Sequence, residues 1–402
     1  MGTSLHALRC GETLIAIGQV RESDIGTCLD SSIGQTVAVC DLDLMLADLA
    51  ALVNIESPSR DLESLTRSAQ AVASVIEHRI GGSARLVPSF AGPHVHWSGG
   101  GEPRVLLLGH HDTVFPLGTL AARPFTVSDG RAVGPGVFDM KGGIVQAIHA
   151  VAALADRSGV ELLLSSDEET GSHASRDLIE ERALACGAVL VLEPSADGGA
   201  LKTARKGTGT FELLIHGRAA HAGLEPEKGI NALIEAAHQI LAVSTLGDPI
   251  TGTTVTPTVA SAGTADNVVP ALARVLVDVR VEAPGEKERI EAAMLGLRAR
   301  LPESRLELLG GINRPPMPAL ASAWLFPLAA EVAARLGMPP LVGIAVGGGS
   351  DGNFTAARGV PTLDGLGAVG GGAHADHEFV ETATMVDRAR LLSGIVAALQ
   401  SR

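Results

Sequence analysis

Apolar positions set the frame of this chain. Over 41–54, Leu42, Met45, Leu46, Leu49 and Leu52 recur at helical spacing, and from Asp61 onward Leu62, Leu65, Ala69, Val72, Val75 and Ile76 mark a second helix. Short continuous apolar runs follow over 105–108, 162–164 and 189–192, with a helical pattern over 144–155 between the first two. Runs of that length, alternating with helices, predict a mostly parallel sheet covered on both faces. From 206 to 309 the order changes. Strand 211–215, helix 230–243, strands 253–261 and 274–281, helix 287–297 and strand 305–309 spell β-α-β-β-α-β, the ferredoxin-like unit. The α/β alternation resumes with helix 321–336, strand 341–346, helix 353–357, strand 362–365 and helix 385–399.

The expected architecture is therefore α/β: a mostly parallel sheet domain over 41–205 and 311–402, with a smaller α+β domain inserted over 206–310. The length of 402 residues suits two domains, since single cores rarely grow past roughly 250–300 residues. Residues 1–40 form an N-terminal extension to which the sequence assigns no role.

Composition narrows the function classes. Hydrophobic residues make up 46% and charged residues 19%, as in ordinary globular proteins. Aromatics are 2% with no Tyr, and 31 basic against 45 acidic residues leave a net charge of −14. Neither base stacking nor phosphate binding fits that balance, so nucleic acid is not an expected partner. Cys10, Cys28, Cys40 and Cys186 form no Cys-x-x-Cys pair, which fits a reducing cytoplasm. No apolar run reaches membrane-spanning length, and Arg9, Glu12, Arg21, Glu22 and Asp24 break up any signal-peptide core.

The chemistry lies in five short motifs: Gly-His-His-Asp-Thr at 109–113, a Gly-Pro-Gly turn leading to Asp139, Ser-Asp-Glu-Glu-Thr-Gly at 166–171, Leu-Glu-Pro at 192–194 and His-Ala-Asp-His-Glu-Phe at 374–379. Three sit just past strand ends, where open α/β sheets bind ligands. His110 is the first candidate metal ligand. Asp112, two residues on, faces the same way and can orient its ring. Asp139 can bridge two cations about 3.5–4 Å apart, and it can also cap the helix that follows. Three carboxylates in a row at 167–169 are costly unless cations neutralise them. Glu169 is assigned to metal and Glu168 to proton transfer. Glu193 and His374 complete the set, while His111, His377 and Glu378 are left aside. His94 and His96 alternate on a strand with no carboxylate partner in view. The Gly-rich run 347–351 lacks the Lys-Ser/Thr ending of a phosphate loop, so it is read as backbone that lets substrate approach.

These motifs, in this order over about 41–400, resemble those of the cocatalytic zinc exopeptidases and deacylases that include glutamate carboxypeptidase, acetylornithine deacetylase and succinyl-diaminopimelate desuccinylase. Gly134-Pro135-Gly136 and His374-Ala375-Asp376 look most like the glutamate carboxypeptidase branch. The resemblance implies two divalent ions per chain, zinc first with cobalt or manganese as alternatives. His110, Asp139 and Glu193 would hold one, and Asp139, Glu169 and His374 the other. It further implies Asp112 as orienting acid, Glu168 as general base, and a homodimer built on the inserted domain. His221 would then reach the partner's site to hold the oxyanion, and Asn267 matches a substrate-binding segment. Arg280 and Arg314 are candidates for gripping a substrate carboxylate, with Arg314 preferred for its place at the hinge.

The reaction implied is cleavage of a small peptide or N-acyl amino acid by activated water, releasing an amino acid with an acidic or small side chain. An N-acyl-amino-acid deacylase or dipeptidase on the same scaffold is the nearest rival. A metal-binding dimer without catalysis is the rival from another class.

Overall fold

The computed structural model describes residues 40–402. The extension over 1–40, Cys10, Cys28 and the charged residues between 9 and 24 therefore lie outside the described residues, apart from Cys40 itself. In the main sheet the strands lie side by side in the order Arg85–Val87, His94–Ser98, Val160–Ser165, Val105–His110, Val189–Val191 and Thr362–Leu363. The first two pairings are antiparallel and the remaining three parallel.

The continuous apolar runs are explained by burial on both sides. Val105 and Leu107 enter the larger core with Leu162, Leu164 and Leu190. Leu106, Leu108, Leu163, Val189 and Val191 enter a second core under helix Arg176–Cys186. Alternate residues of a strand face opposite ways, so a strand covered on both faces reads as a nearly unbroken apolar run. Helices Leu42–Val53, Leu62–Arg79, Gly142–Ala152 and Met385–Gln400 contribute to the larger core. Asp41 and Asp61 cap the first two by accepting backbone N–H groups of the opening turn.

The inserted unit is a four-stranded antiparallel sheet in the order Thr254–Ala262, Leu272–Val281, Gly207–His216 and Arg305–Arg314. Its strands alternate in burial. Phe211, Leu213, Ile215, Val275, Val277 and Val279 pack with Ile290 and Met294 of helix Glu286–Leu295, while Thr208, Thr210, Asp278 and Arg280 point the other way. That period of two turns one face of the sheet into a polar wall.

Three elements differ from the sequence expectation. The strand expected to end at 309 runs on to Arg314, because its pairing with Gly207–His216 continues past a bulge after Ile312. Gly343–Val346 does not join the main sheet but pairs in parallel with Leu201–Arg205. A further sheet of Thr126–Ser128, Arg131–Val133, Gly370–Gly371 and Phe379–Glu381 has strands too short to show an apolar period, and it fixes the segments on either side of His374.

Backbone packing also sets where strand ends lie. A Cβ on Gly143 would stand 2.2 Å from the Leu192 carbonyl oxygen, and one on Gly367 would stand 2.1 Å from the same atom. Glycine at both positions lets the start of a helix and the 365–368 turn close on the residue before Glu193. Among the described residues, no helix is long and apolar enough to cross a membrane.

Candidate metal centre

His110 ends the central strand and is fully buried. Its Nε2 lies 3.3 Å from Asp139 Oδ1 and 3.5 Å from Glu193 Oε1. Its Nδ1 is 3.0 Å from the Asp112 carbonyl oxygen and 3.4 Å from Asp112 Oδ1, so the backbone carbonyl of Asp112 shares the orienting role expected of its side chain. His374 Nε2 is 3.3 Å from Asp139 Oδ2 and 3.3 Å from Glu169 Oε2. Asp139 thus stands between the two imidazoles with one oxygen toward each. His110, Asp139, Glu169, Glu193 and His374 are brought together from five separate stretches of chain.

The local chemistry fits cations. Burial alone would keep His110 neutral, yet Asp112, Asp139 and Glu193 around it push its pKa well above the ordinary value. Hydrogen bonds to Asp139 and Glu169 raise His374 to about 10, against a smaller opposing effect of burial. Burial raises Glu169 despite its bond to His374. Glu169 Oε1 is buried with no hydrogen-bond partner, and buried Asp139 Oδ1 has only the His110 imidazole near it, outside hydrogen-bond geometry. Carboxylates that draw protons onto imidazoles, and buried oxygens that lack a donor, mark a site with more negative charge than the chain itself compensates. Divalent ions supply that charge and take imidazole nitrogen and carboxylate oxygen as ligands.

Several residues outside the ligand set hold it in shape. Asp112 is buried and accepts from Ser59 Oγ at 2.7 Å, Glu168 N at 3.2 Å and Glu169 N at 3.3 Å. Desolvation works against its ionised form, but His110 and the Ser59 hydroxyl outweigh it and lower its pKa. One carboxylate therefore ties His110 to the turn that carries both glutamates. Glu378, set aside on sequence, accepts from the N–H groups of Gly136, Phe138 and Asp139 at 2.8–2.9 Å and so shapes the loop that presents Asp139. Burial pushes it up to about 7 against those three bonds. Asp139 caps nothing: the helix from Gly142 has no side-chain cap. Arg205, not anticipated, is buried between Asp364 at 2.7 Å and Glu193 at 3.6 Å. Nothing in Leu201-Lys202-Thr203-Ala204-Arg205-Lys206 singles it out, since lysines stand on either side.

Glu168 is buried beside the ligands, and desolvation holds its pKa well above the ordinary carboxylate range in spite of Arg314. Arg314 Nη2 donates to Glu168 Oε1 at 2.8 Å, the Glu168 carbonyl at 2.9 Å, Ser172 Oγ at 2.9 Å and Asp351 Oδ1 at 3.2 Å. Arg314 and Arg280, the two candidates for a carboxylate grip, differ in their surroundings. Arg314 is buried and already engaged with two acids of its own chain. Arg280 lies on the polar wall, about a third exposed, paired with Asp278 and with Nη1 only 3.5 Å from the Gly347 carbonyl.

A cavity of about 940 Å³ joins these parts, bounded by Asp139, Glu168, Glu169, Glu193 and His374 on one side and by Thr208, Arg280 and Arg314 on the other. Gly348 and Gly349 line it too, in keeping with the reading of the Gly-rich run. His221 and Asn267 do not line it. They lie beside each other on an exposed surface, where the Asn267 carbonyl accepts from Ala222 N at 2.8 Å and His221 Nδ1 accepts from Gly223 N and Leu224 N at 3.1 Å. His111 is buried against Ser68 and the Pro93 carbonyl. His96, read as lacking a partner, finds Glu161 at 3.0 Å across the sheet. Only strand pairing brings those residues together.

Comparison with known proteins agrees with this geometry. The profile of peptidase family M20/M25/M40 matches residues 106–398. Carboxypeptidase G2 of Pseudomonas sp. (strain RS-16) is 32% identical over 375 residues, covering 88% of this chain and 89% of that protein. A succinyl-diaminopimelate desuccinylase of Rhodospirillum centenum is 30% identical over 315 residues, covering 71% and 78%. An M20 family metallo-carboxypeptidase from Sulfolobus solfataricus shares the fold with a TM-score of 0.73 at 18% identity, over 88% of this chain and 99% of that one. The chain belongs to peptidase family M20/M25/M40 and is a metal-dependent peptidase or amidohydrolase.

Proposed function

We propose that this enzyme cleaves the amide bond joining an acyl or peptidyl group to a C-terminal amino acid, as a carboxypeptidase does. The observation that carries this reading is the pair of imidazoles facing the two oxygens of Asp139, with Glu193 and Glu169 on either side. His110, Asp139 and Glu193 would hold one divalent ion and Asp139, Glu169 and His374 the other, zinc first. When bound, such a pair supplies a water acidic enough to attack at neutral pH and polarises the scissile carbonyl.

Within that frame the chain's own residues divide the remaining work. Glu168 accepts the proton of the attacking water and hands it to the leaving amine. Its burial favours a carboxyl that can both take and return a proton, and Arg314 holds it in place. Asp112 keeps His110 and the Glu168–Glu169 turn in register. The product amino acid, with an acidic or small side chain, rests on the polar wall with its α-carboxylate toward Arg280. The similarity to a desuccinylase keeps N-acyl-amino-acid deacylation as the second reading. A panel of N-acyl glutamates beside dipeptides separates the two.

We assign 41–205 and 311–402 to catalysis and 206–310 to dimerisation. Strand Thr254–Ala262 stands at the edge of its sheet with one side unpaired, and Val259 on it is exposed. Leu233, Ile234 and Leu241 are exposed on the neighbouring helix Ala232–Val243. An open edge flanked by apolar residues is a surface that a second copy can cover. Through it His221 and Asn267 would reach the partner's cavity.

Three outcomes test this reading. Glu168→Gln should lower turnover by at least ~10²–10⁴ in steady-state assays; near-normal turnover removes Glu168 from proton transfer. Mixing His221→Ala chains with Glu168→Gln chains should restore activity once subunits exchange, since one hybrid site combines an intact base with an intact histidine. No recovery after verified exchange would show that His221 does not act across subunits. Arg280→Ala should cost roughly tenfold in the kcat/KM preference for a free α-carboxylate over its α-amide. Arg314→Ala should instead slow both substrates alike, through Glu168. The reverse pattern would return the grip to Arg314.

A further inference from the structure

Four guanidinium groups line the main cavity: Arg60, Arg176, Arg280 and Arg314. Three are neutralised within the chain. Arg176 pairs with Glu180 at 2.8 Å, Arg280 with Asp278 at 2.8 Å, and Arg314 with Glu168 and Asp351. Arg60 has no ion pair and no hydrogen bond from its side chain among the described residues, and it is exposed.

Its backbone is unusual as well. Arg60 has φ +74°, in the left-handed region that glycine occupies freely and a long side chain enters at a cost. Five described non-glycine residues adopt such angles, and two of them, Arg60 and His374, line this cavity. The segment that holds Arg60 is anchored on both sides. Ser59 donates through N to the Thr113 carbonyl at 3.1 Å and through Oγ to Asp112 at 2.7 Å, while Asp61 caps helix Leu62–Arg79. Strained backbone of this kind persists where its surroundings fix it, and it concentrates at ligand sites.

Arg60 also stands where two spaces meet. A groove of about 570 Å³, lined by Pro58, Val114, Pro116 and Leu117, shares Arg60, Glu169 and Thr170 with the main cavity. Val114 and Leu117 offer exposed apolar surface there. With the scissile carbonyl beside Glu168 and the amino acid's carboxylate toward Arg280, the acyl side of a substrate runs past Glu169 and Thr170 into this groove. It meets apolar wall and then an unpaired cation, with the Asp61 carboxylate beside it already accepting from Ser64 N at the helix start.

We infer that Arg60 selects substrates whose acyl side carries an anionic group a few bonds beyond the scissile carbonyl, such as half-amides of short dicarboxylic acids or peptides with an acidic residue before the cleaved bond. The inference rests on the proposed hydrolysis for the direction of the substrate. Its physical basis is that Arg60 is the cavity cation still available to a ligand, on a path otherwise lined by Glu168, Glu169 and Glu193.

Binding tests this apart from turnover. The probes are N-(3-carboxypropyl)glutamate and N-butylglutamate, in which a methylene replaces the amide carbonyl so that neither is hydrolysed. Calorimetry on the metal-loaded enzyme at low ionic strength should give the first a Kd roughly three- to fivefold lower, the upper range of a partly exposed ion pair. Arg60→Gly, which suits the backbone angle and should hold or raise the melting temperature, should abolish the preference. Arg60→Lys should keep part of it, and added salt should weaken it in wild type. Binding of the two probes within twofold, no measurable binding of either, or a preference that survives Arg60→Gly overturns the inference. Failure of the enzyme to cleave both N-succinyl and N-butanoyl glutamate would count against the hydrolase reading alone, with the binding comparison still deciding for Arg60.

Discussion

Asp139 is the constraint on which the rest of this structure depends. A carboxylate placed between two imidazoles, with further carboxylates beside each, gathers more negative charge than neutral imidazoles offset. The chain nevertheless commits considerable structure to it. Glu378 shapes the loop from one side with three backbone hydrogen bonds, and Asp112 fixes both His110 and the glutamate turn from the other. Arg205 stands behind Glu193. These supports explain why the ligands lie on strand ends and tight loops of a rigid sheet, where small displacements are resisted by close-packed backbone. Gly143 and Gly367, both closed on the Leu192 carbonyl, show how little slack remains.

The inserted sheet adds a second wall to a centre whose five candidate ligands all lie outside it. Its period-two alternation separates a valine-rich core from a polar face, and that face supplies Thr208, Asp278 and Arg280 to the cavity. One wall thus gathers the candidate metal ligands and Glu168, and the other the hydroxyl and charged groups of the inserted sheet. Arg314 links them, because it ends a strand of the inserted sheet yet bonds to Glu168.

Much of this was legible in sequence. The doubly buried strands announced themselves as unbroken apolar runs, and the β-α-β-β-α-β order of the inserted unit followed from the change in period. The ligand candidates were legible because strand ends deliver side chains to one edge, so local motifs needed no long-range information. What escaped was what only tertiary pairing creates. Glu378 looked like a spare acid beside His374, and its partners at 136–139 are remote in sequence. His96 looked unpaired until the sheet placed Glu161 beside it. Arg314 was ranked above Arg280 for its place at the hinge, a ranking blind to the acids that occupy it, which come from two other segments. Arg60 gave no signal at all, because backbone angle and freedom from ion pairs are properties of the fold.

The account turns on charge compensation at Asp139, and metal stoichiometry tests it most directly. Purified enzyme, stripped by chelation and dialysed against zinc, should bind about two ions per chain, as a shared carboxylate between two ligand sets requires. Glu169→Ala should then retain about one. A wild-type chain that takes up a single ion, or none, would contradict the account at its centre.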